Sequence, residues 1–200
     1  AAIENALVDI KARALGIPVY ELLGRPVRDS LRLYWSHCGS YRIDHAATIG
    51  VPPLTDLEGV RRLAQDVRER GFSALKTNIF LFDEDSPALF MPGFTGSTGW
   101  PELNPSRRII AALDAQLSAL REGAGPDMDI MLDLNFNFKT EGYMRIAEAL
   151  SAHDIFWLEL DTMDPAALAL IRNRSPHPVA SGESLFHRRG FKEFLYQQAM

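Results

Sequence analysis

Five short apolar runs, each followed by a stretch of helical periodicity, most constrain what this 200-residue chain can fold into. The runs lie at residues 31–35, 74–80, 129–136, 155–160 and 178–183. Between the first two, Leu57, Val60, Leu63, Ala64 and Val67 mark one face of a helix that stops at Gly71, a natural C-terminal cap. Ile109, Ile110, Leu113, Leu117 and Leu120 mark the next helix, and further helices are predicted around 143–150, around 165–174 and from Arg188 onward. Ile3, Leu7, Ile10 and Ala14 recur at the same spacing, so a helix also opens the chain. Strands and helices alternating in this way make an α/β fold with a parallel sheet and helices outside it. A doubly wound sheet and a barrel both satisfy that pattern. No Gly-rich phosphate loop follows any strand, which favours the barrel. The expected fold class is therefore a partial (β/α) TIM-type barrel, about five of its eight strand–helix units, with an insertion loop at residues 81–104.

The composition narrows the function classes. With 21 Lys and Arg against 26 Asp and Glu, the formal charge is −5, and no basic run offers a nucleic-acid surface. No run approaches the 18 or so apolar residues of a membrane span. A single cysteine, Cys38, rules out an internal disulfide and a cysteine-based zinc site, so a cytoplasmic setting is expected, with neither nucleic acid nor membrane as partner. The first residue is Ala, and helical periodicity runs to both ends, so the chain is expected to be an internal piece of a longer protein.

Three carboxylates stand at equivalent places. Asp133 interrupts Ile-Met-Leu-Asp-Leu, Glu159 interrupts Phe-Trp-Leu-Glu-Leu, and Glu183 ends Val-Ala-Ser-Gly-Glu, at spacings of 26 and 24 residues. Each lies toward the C-terminal end of a predicted strand, where barrel enzymes assemble their sites. Acids are poor strand residues, and three of them on adjacent strands would repel one another. A shared divalent cation resolves both costs; all-oxygen ligation suits Mg²⁺ before Mn²⁺ or Ca²⁺. A non-catalytic barrel whose acids form ordinary ion pairs is the bland alternative. Lys76 and Asn78, two apart on a strand, face one side, as do Asp133 and Asn135. Lys76 is suited to hold a substrate carboxylate, or to move a proton if its surroundings lower its pKa. His37 is the one histidine placed near the mouth, and a packed or solvent-facing role accounts for it.

At these residues the chain resembles the enolase superfamily, in its mandelate racemase and muconate lactonizing enzyme-like branch. Ala2 to Lys11 and Leu15 to Gly24 resemble the last helix of that family's capping domain and its turn into the barrel, which places the capping part at 1–27 and the barrel at 28–200. Lys76-Thr77-Asn78 sits where the family has a K-x-K pair, with Asn78 in place of the second lysine. Asp133-Leu134-Asn135, Trp157-Leu158-Glu159 and Ser181-Gly182-Glu183 resemble the strand ends that hold its Mg²⁺. The run Gly182 to Phe186, with Arg188 and Phe191, is most similar to the galactonate dehydratase type, although Asn135 stands where that type has a histidine acid. The resemblance implies metal ligands Asp133, Glu159 and Glu183 and catalytic residues Lys76, Asn78 and Asn135. It also implies abstraction of the proton α to a carboxylate, with enediolate stabilisation by Mg²⁺. Acid-sugar dehydration is the expected outcome, with racemisation or epimerisation the alternative. The general base is expected beyond residue 200. The expected partners are a small-molecule sugar acid and, in the full-length form, further copies of the chain.

Overall fold

The computed structural model describes residues 2–82, 86–95 and 104–200, and it divides the chain into two units, Ala1–Arg32 and Leu33–Met200. The division falls five residues after the expected boundary at 27/28. The first unit is helix α1 (Ala2–Leu15), turned at Gly16 with φ 70°, and a single 3₁₀ turn at Val19–Leu22.

The second unit opens with two short helices, α2 (Ser40–Asp44) and α3 (Ala46–Ile49), before the amphipathic α4 (Leu57–Glu69). Asp56 caps α4 by accepting from the Gly59 N–H at 2.6 Å, and Gly71, at φ 84°, follows its end. Strand β1 (Ala74–Thr77) follows, then the two-residue strands β2 (Phe80–Leu81) and β3 (Ala88–Leu89), which pair antiparallel, and the short α5 (Pro92–Thr95). The expected 81–104 loop thus carries a hairpin arm and a helical turn; its residues 83–85 and 96–103 lie outside the described set. Helix α6 (Arg107–Ala124) leads to β4 (Asp129–Asp133), α7 (Thr140–Ala149) to β5 (Ile155–Glu159), and α8 (Pro165–Arg174) to β6 (Val179–Ala180), with α9 (His187–Tyr196) last.

The main sheet runs β1-β4-β5-β6, every pair parallel. Each strand lies beside the next parallel strand in the chain, without the reversal of order that defines a doubly wound sheet, so this is a segment of barrel wall. A fifth position is marked only by Trp35, in an isolated parallel bridge to Leu75. The strand expected over residues 31–35 is therefore absent: Leu31 and Leu33 are exposed, with no core to reward extended pairing. The run 178–183 also shrinks to two residues, because Gly182 takes φ 101° and turns the chain out of the sheet.

Strand alternation decides which face carries chemistry. Leu75, Ile130, Leu132 and Leu158 are buried in the core that includes α4, α6, α7 and α8, which leaves Lys76, Met131, Asp133, Trp157 and Glu159 on the opposite face. Val60, Leu63, Ala64 and Val67 of α4 share this core with Leu113, Leu117 and Leu120 of α6. The two helices approach closely at Gly123, where an added Cβ would collide with the Arg61 carbonyl oxygen and lie 3.0 Å from the Ala64 Cβ. Gly123→Ala in the full-length protein is therefore expected to lose about 1–3 kcal/mol despite the gain in helix propensity. A urea midpoint equal to that of the wild type would show that the helices separate freely.

Candidate metal-binding and proton-transfer site

Asp133 and Glu159 are the last residues of β4 and β5, and they are register partners across the pair. The parallel ladder continues past them: Leu134 N–H donates to the Glu159 carbonyl at 2.7 Å, and Asp161 N–H to the Asn135 carbonyl at 3.2 Å. Two carboxylates are thereby held side by side. Lys76, one strand over, lies between them, its Nζ 3.1 Å from Asp133 Oδ2 and 2.8 Å from Glu159 Oε2. Burial pulls the Lys76 ammonium down, but the hydrogen bond from Nζ to Glu159 and the charges of Asp133 and Glu159 outweigh it, and the net shift is upward. With no metal bound, the flanking carboxylates favour Lys76 as a cation. Burial raises the Asp133 carboxyl, as does the charge of Glu159, against the stabilising Lys76 and Asn135 N–H groups.

Asn135 closes the other side of Asp133. Its backbone N–H and its Nδ2 both donate to Asp133 Oδ1, at 3.1 and 2.8 Å. The residue sits at φ 49°, a left-handed conformation that Asn tolerates better than most, and Tyr143 of α7 donates its hydroxyl to the Asn135 carbonyl. Asn78 is buried beside it, its Nδ2 3.5 Å from Asn135 Oδ1 and its Oδ1 accepting from Ser40 Oγ at 2.6 Å. Lys76, Asn78, Asp133, Asn135 and Glu159 are thus brought into one neighbourhood.

Glu183 follows the next strand end. It is exposed and three residues beyond the end of β6, where strand alternation no longer sets its direction. It acts electrostatically on Asp161, a buried carboxylate that the motif reading passed over. The signal was there: Asp161 is two residues after Glu159, the same spacing that put Asn78 with Lys76 and Asn135 with Asp133. Burial, then the charges of Glu183 and more weakly of Asp133 and Glu159, push the Asp161 carboxyl up to about 6, although the Gly182 N–H donates to it. His37 is exposed and stacks on Tyr41, while burial lowers the pKa of His177, whose Nε2 lies 3.1 Å from the Leu150 carbonyl.

Among the described residues no group of three or more His, Cys, Asp or Glu side chains is arranged to hold a metal ion. The donor chemistry at the Asp133–Glu159 pair nevertheless fits a hard divalent cation, because oxygens from both carboxylates already converge on one cationic centre, the Lys76 ammonium.

The sequence profile of the enolase C-terminal domain-like family matches residues 59–200. This chain belongs to that family. Among curated relatives of this enolase-like chain, a D-galactonate dehydratase family member from Oceanicola granulosus is 28% identical over 195 residues, covering 91% of the chain and 44% of the relative. The D-xylonate dehydratase of Haloferax volcanii is 29% identical, over 99% of the chain and 43% of the relative. The chain thus spans less than half the length of these relatives. A solved structure from Burkholderia xenovorans, named for L-alanine-DL-glutamate epimerase, is 50% identical over the whole chain and half of its own, with a TM-score of 0.92. That protein has also been solved bound to magnesium and fumarate. Among the described residues, no helix of the enolase-like chain is long and apolar enough to cross a membrane.

The Asp161 shift has a sign that can be measured. Its folded pKa of about 6 lies above the ordinary 3.8, so the folded state binds this proton more tightly than the unfolded one. The contribution is full below about pH 4 and is lost as pH rises through 6. In EDTA, the thermal midpoint of the full-length protein is expected to rise as pH falls from about 7.5 to 5.5. Asp161→Asn should flatten that slope; an unchanged slope would assign it to other groups.

Proposed function

We propose that the full-length protein is a Mg²⁺-dependent cytoplasmic lyase that dehydrates a sugar acid. The observation that carries this reading is the register pair of a buried Asp133 and a half-buried Glu159 at neighbouring strand ends, with one cation between them. Asp133, Glu159 and Glu183 would hold Mg²⁺. When bound, it would supply positive charge that acidifies the α-carbon of a carboxylate substrate and offsets the negative charge that develops there. Lys76, kept charged by its neighbours, is placed to attract the substrate carboxylate. Asn135 keeps Asp133 ionised and oriented. In the reaction the α C–H bond breaks and its electron pair forms a double bond to the β-carbon. The β C–O bond breaks, hydroxide leaves as water with a proton, and the enol product becomes a 2-keto acid.

The 50% identity to a protein named for an epimerase favours a second reading, epimerisation at the α-carbon. That reaction needs a proton-exchanging group on each face of the substrate. On the face formed by β1, Asn78 is an amide, engaged by Ser40, and Lys76 is an ammonium between two carboxylates. An amide does not remove a proton at neutral pH, so Asn78 is no base for that face, which supports dehydration with a base from another part of the full-length protein.

The test incubates the full-length protein and Mg²⁺ in deuterated water with D-galactonate, D-xylonate, D-gluconate and D-mannonate in turn, and with the L-alanine-DL-glutamate dipeptide. A 2-keto-3-deoxy acid from at least one sugar acid is expected. Asp133→Asn should lower kcat/KM at least about a hundredfold, the loss of several kcal/mol of charge stabilisation. Deuterium entering the dipeptide with inversion at its α-carbon, and no keto acid formed, would instead establish the epimerase.

A further inference from the structure

A buried chain of polar side chains runs behind the Asp133 carboxylate and is not accounted for by any step of the reaction. Ser40 Oγ donates to Asn78 Oδ1 at 2.6 Å, Asn78 Nδ2 reaches Asn135 Oδ1 at 3.5 Å, and Asn135 donates from both its nitrogens to Asp133 Oδ1. Ser40 and Asn78 are 3% and 2% exposed, too deep to touch a substrate in the mouth. The Asn78 backbone is fixed independently. Gln116, fully buried on α6, donates from Nε2 to the Asn78 carbonyl at 2.7 Å and to Thr77 Oγ1 at 3.0 Å. Its Oε1 accepts from the Phe80 N–H at 2.9 Å. With the Asn78 backbone held there, the only freedom left to its side chain is the orientation of the amide, and Ser40 settles that by donating to one end.

Asp133 is thus divided by its two oxygens. Oδ1 takes two N–H bonds from Asn135, and Oδ2 faces the cationic position that Lys76 occupies. Rotation of the Asn135 amide would put its carbonyl oxygen against Oδ1, an unfavourable contact between two acceptors. The Asn78 N–H, directed at Asn135 Oδ1, opposes that rotation. Carboxylates that bind metals are generally held by such outer partners, whose removal weakens binding about 10- to 100-fold.

We propose that Ser40 and Asn78 are positioning residues for Asp133, acting through Asn135 to keep Oδ2 turned toward the cation. The role rests on the proposed metal site but not on the product chemistry. It also gives position 78 a use that requires an amide, with one acceptor end and one donor end, and that a lysine could not fill.

The experiment measures Mg²⁺ binding to the full-length protein by calorimetry, with no substrate, alongside the thermal midpoint in EDTA. Asn78→Leu should weaken Mg²⁺ about 10-fold or more. Ser40→Ala should weaken it severalfold, and Ser40→Thr, which restores the hydroxyl, should return it to within about twofold of wild type. Asn78→Asp keeps the acceptor for Ser40 and loses the donor to Asn135, and should also bind Mg²⁺ more weakly despite its added negative charge. A role confined to packing would lower the midpoint in EDTA and leave the Mg²⁺ affinity of the folded variants at the wild-type value, which would overturn the proposal. Should Asn78→Leu fail to fold, Ser40→Ala and Ser40→Thr decide by the same measurement. Asp133→Asn separates the two levels: wild-type Mg²⁺ affinity in that variant would sink the metal site itself. Its loss there, with Ser40 and Asn78 variants unaffected, would sink only the positioning role.

Discussion

Two carboxylates opposite each other in a parallel sheet, both largely withdrawn from water, repel; the Lys76 ammonium between Asp133 and Glu159 makes their placement tolerable. Lys76 must come from the strand next to β4, on the face away from the helices, and at a register that lets its side chain reach two residues further along. The Lys76–Met131 and Asp133–Glu159 register pairs meet these conditions together. A buried ion pair of this kind does not stabilise a fold much by itself, since desolvating the charges offsets most of their attraction. Stability has to come from the opposite face of the same strands.

There the packing is conventional. Leu75, Ile130, Leu132 and Leu158 present a continuous apolar row to the helices, and α4 approaches α6 closely enough to require Gly123. A slip of one residue in any strand would turn leucines into the mouth and carboxylates into the core, so the apolar row fixes the register that the charged row needs. Gln116 joins the two faces. It sits within the apolar helix layer but spends its hydrogen bonds on the end of β1, where the strand yields to the hairpin arm and where Asn78 must be held. A buried amide with all these bonds made loses little, whereas an apolar residue there would leave the Phe80 N–H without the Gln116 acceptor.

The helices were legible because their signals are local. Asp164 with Pro165 opens α8 at the expected residue, and the apolar spacing of 57–67 with Gly71 delimits α4 to within two residues. Strand ends were less legible, since β-strands owe their extent to partners. The apolar residues 31–35 form a single bridge, and 178–183 gives two paired residues before Gly182 turns away. Within the candidate site, period-two spacing was enough to gather Lys76, Asn78, Asp133 and Asn135, and it would have gathered Asp161 had it been applied to Glu159. Glu183 was placed by assuming that β6 runs to its carboxylate. Ser40 carried no signal at all: its partner lies 38 residues along the chain, and a serine after a glycine reads as turn chemistry.

The relatives bear names of two different chemistries, and the geometry explains how one framework serves both. Removing the proton α to a carboxylate calls for charge stabilisation at that carboxylate, and the Asp133–Glu159–Lys76 cluster lies where such a site would be built whatever the product. Dehydration and epimerisation diverge afterwards, according to which substrate face meets a base and whether a β-hydroxyl can leave. Position 78 bears on that divergence. A lysine there would offer a base on the β1 face; the Asn78 amide, engaged by Ser40, offers none, so the choice between the two outcomes falls to groups on other elements of the full-length protein.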